Sequence, residues 1–236
     1  MKCIVMCSGK GGTGKSCVAA YTGAALARSG KKTLLIELER NTRSLELILG
    51  VKDAAFGALD VFAGRCEAGE AVVEVEKFPQ LLLLPAGDGP GADDQGKIRA
   101  LIETLGGYDF VIIDGVELSS FPTDLCDVFL LVITPDTLSV WAAAATARRL
   151  YKAGAKEVRL VINNVPPRII PIDGARDFDD VIDMIGAQLI DVIPASPKLA
   201  FCSNNAKPLD PDSLTVKVFE NLAGRLMGQR HPLLIR

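Results

Sequence analysis

Short unbroken runs of Val, Ile and Leu alternate along the chain with longer stretches whose apolar residues recur at helical spacing. The runs fall at residues 3–7, 33–37, 81–84, 110–114, 128–134, 158–163 and 189–193. Most are continuous rather than alternating, which is how parallel strands covered by helices on both faces read. Helical stretches fill the gaps at residues 15–28, 54–63, 95–105, 138–152, 178–185 and 214–227. Gly30, Gly106-Gly107, Gly154, Gly186 and Gly228 stand where helices should stop, and Asp53 stands as an N-cap before the second stretch. The repeated order strand–helix predicts an α/β fold. No polar linker or internal repeat divides the chain, so one unit over residues 1–236 is expected. Residues 84–96 (LPAGDGPGADDQG) are the loosest stretch and read as a surface loop near strand ends.

Composition narrows the class. Hydrophobic residues make up 49% and charged residues 23% of the 236 residues. Such a chain buries a large core and is not disordered. No run reaches the ~18 apolar residues of a membrane span, and the first residues lack the apolar region and cleavage site of a signal peptide. A formal net charge of -3 argues against a broad nucleic-acid footprint. The six cysteines form no C-x-x-C pair and read as buried thiols of a reducing compartment. His231 is the sole histidine and stands apart from every motif, which excludes a His-based metal site or dyad.

The strongest chemical pattern is Gly9-Lys10-Gly11-Gly12-Thr13-Gly14-Lys15-Ser16, a G-x-x-x-x-G-K-S loop between a strand and a helix. Glycines let backbone N–H groups converge on phosphate oxygens, and the following helix aims its N-terminus at the same charge. Lys15 is placed to reach the β- and γ-phosphates and Ser16 to ligate Mg²⁺. Gly11, Gly12, Thr13, Gly14, Lys15, Ser16 and Cys17 are the expected phosphate-binding residues. Such a loop needs an acid at the end of a neighbouring strand. Phe110-Val111-Ile112-Ile113-Asp114 supplies one, with Asp114 as a metal-site residue.

The extra lysine, Lys10, makes the loop resemble K-G-G-x-G-K-[ST] of the deviant-Walker ATPases, the MinD/ParA family of septum-site-determining and chromosome-partitioning proteins. The resemblance runs from Met1 to about Leu233 and is closest to the septum-site branch. It implies a three-layer αβα P-loop NTPase fold with a mostly parallel central sheet. It implies ATP or ADP with Mg²⁺ as ligands, and an ATP-dependent homodimer in which Lys10 reaches the partner's nucleotide. The family's D-x-D switch stands here as Glu37 and Glu39. By resemblance Glu37 lies near the Mg²⁺ water shell and Glu39 orients the attacking water. Each carries one methylene more than Asp, on a scale to which catalytic placement is sensitive. Val116 and Glu117 stand where the family has a switch proline and its neighbours, so slow or partner-stimulated hydrolysis is expected.

On the base side, Asn163-Asn164-Val165 resembles the family's N-R-V strand end, with Asn163 as the adenine reader. Val192-Ile193-Pro194 resembles its V-I-P, with Pro194 bordering the base. Ser203-Asn204-Asn205-Ala206-Lys207-Pro208 resembles its S-N-x-G-x-P turn. Trp141 reads as core by its helical spacing from Ala145, or as a partner contact. Residues 225–233 resemble the family's last globular segment, which precedes a membrane-binding tail there. The resemblance therefore implies a cytoplasmic protein with a protein activator or effector. Membrane association at the inner face of the cell membrane is expected only where such a tail follows. Other readings stay open: a hydrolysis-impaired regulator or scaffold of pilus or flagellar positioning, and an ATP-dependent metabolic enzyme of the same superfamily. An iron–sulfur carrier lacks its paired cysteines, and a DNA partner is disfavoured by charge.

Overall fold

The computed structural model describes residues 1–89, 94–167, 172, 175 and 177–234. In chain order the elements are β1 (Lys2–Cys7), α1 (Lys15–Arg28), β2 (Thr33–Glu37), α2 (Ser44–Leu49), α3 (Ala58–Phe62), α4 (Ala68–Ala71), β3 (Val73–Glu74), β4 (Leu81–Leu84), α5 (Gln95–Thr104), β5 (Phe110–Asp114), β6 (Val128–Ile133), α6 (Thr137–Lys152), β7 (Val158–Val165), α7 (Phe178–Ile185), β8 (Gln188–Pro194), α8 (Pro197–Asn204) and α9 (Leu214–Leu226). The strands form one sheet in the order β3-β4-β2-β5-β1-β6-β7-β8, all parallel except β3, which pairs antiparallel with β4.

Side chains of each strand alternate between two cores. Cys3, Val5 and Cys7 of β1 pack with Ile98, Phe129 and Ala143 on one face. Ile4 and Met6 pack with Leu26, Phe219 and Leu222 on the other. The result is the three-layer αβα fold that the unbroken apolar runs predict, each fully buried Leu or Ile contributing about 1.5–3 kcal/mol. The strand order reverses around β1, so the chain leaves the carboxyl ends of β1, β5, β2, β7 and β8 into one crevice.

Three expectations need correction. The helix expected over residues 54–63 is only α3, because Asp53 is left-handed at φ 57 and caps nothing. Gly57 starts that helix: its N–H donates to the buried Asp60 carboxylate at 2.8 Å. The carbonyls of Pro85 and Ala86 accept from Ala58 and Leu59. That same contact corrects the loop reading of residues 84–96. Pro85, Ala86 and Gly89 are buried against α3, while residues 90–93 lie outside the described part. Finally, Ser203 and Asn204 close helix α8, which begins with Pro197 at N1 and Ser196 as its cap, rather than forming a free turn. The two-residue strand β3 and the short α4 leave no sequence period to read.

At the amino ends of the strands, Lys2, Arg159, Arg225, Arg230 and His231 line a cavity of about 740 Å³. Arg225 of α9 reaches Asp191 of β8 at 2.6 Å and also donates to the carbonyls of His231 and Pro232. Burial pushes the Asp191 carboxyl up to about 6 in spite of Arg225 and the Val192 N–H. A buried carboxylate that loses its cation costs ~3–5 kcal/mol. Arg225→Met is therefore expected to destabilise the fold by roughly that amount at pH 8. A raised folded pKa favours the fold below the unfolded value of 3.8, and that advantage disappears as pH rises through about 6. Without Arg225 the carboxyl rises further, so the loss should shrink toward pH 5, where Asp191 takes a proton. Urea unfolding of both proteins at pH 5 and 8 measures this, and equal losses at the two pH values would contradict the pairing.

Candidate nucleotide site

The loop between β1 and α1 is shaped by what packs against it. A Cβ on Gly9 would sit 2.2 Å from the Ala142 carbonyl carbon, so the loop lies directly on α6. Gly14 caps α1 at φ 88, and a Cβ there would meet the Asn163 amide nitrogen at 2.4 Å. Both positions exclude a side chain, Gly14 by conformation as well as by space. Gly11 and Gly12 are exposed, and the Thr13 side chain is buried.

Lys15 Nζ donates to Ser8 Oγ at 3.0 Å, and Ser8 Oγ donates to the Lys10 carbonyl at 2.7 Å. No acid forms an ion pair with Lys15 among the described residues. Lys10 behaves differently. Its Nζ lies 3.2 Å from Oδ1 and 3.3 Å from Oδ2 of Asp136. Asp136 also caps α6 through the Ser139 N–H and accepts from Thr134 Oγ1 at 2.6 Å. Burial would raise the Asp136 carboxyl, but these hydrogen bonds outweigh it and hold the group below the ordinary value. Nothing in the sequence around Asp136 marks it as the partner of Lys10. The P-D-T-L-S pattern signals only a helix cap.

Asp114 ends β5, 1% exposed, with neither carboxylate oxygen in hydrogen-bond geometry with a partner. Burial raises its pKa, and the Ser16 hydroxyl, the Lys15 ammonium and the Gly115 N–H offset part of that. A buried, orphaned carboxylate beside a hydroxyl and an ammonium is what a hydrated Mg²⁺ with its nucleotide would satisfy. These residues therefore fit the metal. Glu37 stands beside Asp114 in the sheet register, and its carboxylate already has hydrogen-bond donors. Its two oxygens accept the N–H groups of Leu45 at 2.9 Å and Glu46 at 3.1 Å, at the start of α2. In this structure the carboxylate of Glu37, the expected metal-site acid, is engaged in capping α2. Burial pushes the Glu37 carboxyl up to about 7.

Glu39 faces the crevice, and its Oε1 accepts the Asn41 N–H at 3.0 Å. The ends of β2 and β5 are zipped one residue further by Leu38 N–H to the Asp114 carbonyl, 2.9 Å. Beyond it, a Cβ on Gly115 (φ 79) would fall 2.4 Å from Glu39 N. Gly115 thus ties the two expected switch segments together, a constraint that residue pattern alone does not display. A cavity of about 590 Å³ opens here, lined by Ser8, Lys15, Glu39, Arg40, Asn41, Gly115 and Glu117 among others.

On the other side of the loop, Asn163 is 8% exposed and its Nδ2 donates to the Thr13 carbonyl at 2.8 Å. It braces the phosphate loop, leaving Oδ1 as the atom available to a base. Pro194 is half-buried at the end of β8, beside Val165 of β7. The Cys17 thiol lies 3.3 Å from Ser203 Oγ of α8, and burial raises its pKa. Trp141 is 62% exposed and Leu138 65%. The core reading of Trp141 fails because its face of α6 turns outward, while Val140, Ala143 and Ala147 face the sheet.

Comparison with known proteins agrees with this geometry. The family model described as the CobQ/CobB/MinD/ParA nucleotide binding domain matches residues 4–209. The septum site-determining protein MinD of Synechocystis is 32% identical over 98% of this chain and 91% of its own length. The Aquifex aeolicus chain in a MinC:MinD cell division protein complex superposes with a TM-score of 0.88 at 31% identity, covering 100% of this chain and 99% of that one. Pyrococcus horikoshii MinD complexed with Mg-ADP gives a TM-score of 0.79 at 27% identity, covering 95% of each chain. The chain belongs to the CobQ/CobB/MinD/ParA family of P-loop nucleotide-binding proteins, with its strongest likeness to the MinD branch.

Proposed function

We propose that the chain is an ATP-binding and ATP-hydrolysing dimerisation switch of the cell-division and spatial-positioning type. The observation that carries this is what flanks one loop: Lys15, hydrogen-bonded only to a hydroxyl, and the buried Asp114 carboxyl, whose oxygens lack a partner in hydrogen-bond geometry. The loop N–H groups of residues 11–17 cradle the phosphates, and Lys15 holds the β- and γ-phosphates. Ser16 and Asp114 are the residues that would hold Mg²⁺. The metal supplies charge neutralisation of the phosphates. Glu39 is the candidate to orient the attacking water. Lys10, released from Asp136, reaches the partner's nucleotide. Asn163 Oδ1 and the Pro194 backbone border the adenine. Residues 1–236 act as one nucleotide-binding unit.

ATP favours the dimer because it binds that state better than the monomer. The exposed Leu138 and Trp141, on the helix that Lys10 and Gly9 both touch, support a protein effector there. Among the described residues no helix is long and apolar enough to cross a membrane. We place the protein in the cytoplasm, at the inner membrane face only where a further segment anchors it. A second reading, nucleotide binding with impaired turnover, rests on Glu37 being turned to α2 and Glu39 being engaged by Asn41.

Solution mass separates the readings, measured alone, with ADP–Mg²⁺ and with ATP–Mg²⁺, while phosphate is counted in the same samples. The switch predicts a monomer that dimerises with ATP and reverts as phosphate appears. Dimerisation without phosphate release selects the impaired scaffold. No ATP-dependent change in mass overturns the switch.

A further inference from the structure

Helix α2 begins without a cap of its own. Arg43 occupies the N-cap position at φ 43, and its side chain makes no capping bond. The free N–H groups of the first turn need acceptors, and Leu45 and Glu46 find theirs on Glu37, eight and nine residues back and at the end of β2. The two bonds join both ends of the segment 38–44 at its base. That segment carries Glu39, Arg40 and Asn41, which line the 590 Å³ cavity beside Lys15. Its near end is held by Leu38 N–H on the Asp114 carbonyl and by the contact of Gly115 with Glu39. Its far end is held by Glu37.

We propose that Glu37 is a positioning residue, a clip that fixes the segment 38–44 over the phosphate site by capping α2, and not a magnesium ligand. Side-chain length is the physical reason. Glu37 and Asp114 are direct partners in the sheet register, so their side chains leave the same edge. The shorter Asp114 side chain meets no hydrogen-bond partner. Glu37 extends roughly 1.5 Å further, one carbon–carbon bond, and at that reach meets the start of α2. An Asp at position 37 would fall short of both N–H groups. The two glutamates of the E-x-E pattern therefore divide the work: Glu37 holds the segment and Glu39 faces the reaction. The turnover consequence rests on the hydrolysis reading above, whereas the clip itself does not.

Amide hydrogen exchange of the full chain, without nucleotide, tests the clip. In the wild-type protein the Leu45 and Glu46 amides are expected to exchange slowly, and solvent-like rates at both would overturn the proposal with no variant needed. Glu37→Asp is expected to speed exchange ~10- to 100-fold over residues 44–49, the range for losing two hydrogen bonds. In steady-state turnover the same variant should lower kcat by about tenfold, with KM for ATP and the Mg²⁺ half-saturation within about threefold of wild type. Glu37→Gln keeps the length and one acceptor oxygen, and should restore protection to one of the two amides. A rise of ~10-fold or more in the Mg²⁺ requirement of either variant, or unchanged exchange in Glu37→Asp, overturns the proposal. Absence of turnover in the wild type would refute hydrolysis and leave the exchange result to decide the clip.

Discussion

Lys15→Ala is expected to reduce ATP turnover ~100- to 1,000-fold, the usual cost of removing one pre-placed charge donor from a phosphoryl site. Nucleotide affinity should fall with it, because Lys15 is the cation of the loop that no acid already neutralises among the described residues. Stability should fall only modestly, by ~1 kcal/mol, through the loss of the charge that offsets part of the burial of Asp114. The side chain is half-buried, and its hydrogen-bond partner in the fold is the neutral Ser8 hydroxyl. Lys15→Arg is not expected to rescue, since the guanidinium fork is wider and planar where a compact ammonium fits. Phosphate release, ADP titration and thermal unfolding together check this. Turnover retained near the wild-type level would remove the loop from the reaction.

The parts of this molecule that were legible in sequence are those with a period or a fixed spacing. Strands β2, β4 and β5 and helices α1 and α7 match their sequence ranges because unbroken apolar runs and glycine stops are local signals. The P-loop and Asp114 were legible because phosphate chemistry demands those residue types in order. What escaped was decided by contacts distant in sequence. Helix α3 starts at Ala58 because the carbonyls of residues 85 and 86 cap it, and no pattern near residue 54 encodes that. The exposure of Trp141 follows from which face of α6 meets the sheet. Glu37 is the sharpest case. The family resemblance places it near the Mg²⁺ water shell, and what the residue pattern does not display is that its two oxygens accept the first N–H groups of α2. Residue identity predicts the position of a group along the chain better than its direction in space.

Lys10 gives the second large expected effect. Lys10→Ala should leave ADP affinity near wild type, because the side chain lies on Asp136 and not over its own loop. It should abolish ATP-dependent dimerisation and lower turnover by ~1,000-fold, the scale of a cation supplied across an interface to a phosphoryl group. The ion pair with Asp136 sets the threshold for this event. It is partly exposed, so its breakage costs only ~0.2–1 kcal/mol. Asp136→Asn removes the charge while keeping an N-cap acceptor for Ser139. That variant should therefore dimerise at up to about fivefold lower ATP, the factor that 1 kcal/mol allows. Solution mass against ATP concentration reads both effects. A variant at Asp136 that needs more ATP than the wild type would mean that this carboxylate works within the dimer. The contact with Lys10 would then be a consequence of the fold rather than a brake on assembly. The modest strength of the pair favours the brake. A lysine held by a strong buried pair could not be released by nucleotide, and an unpaired one would be free in every state.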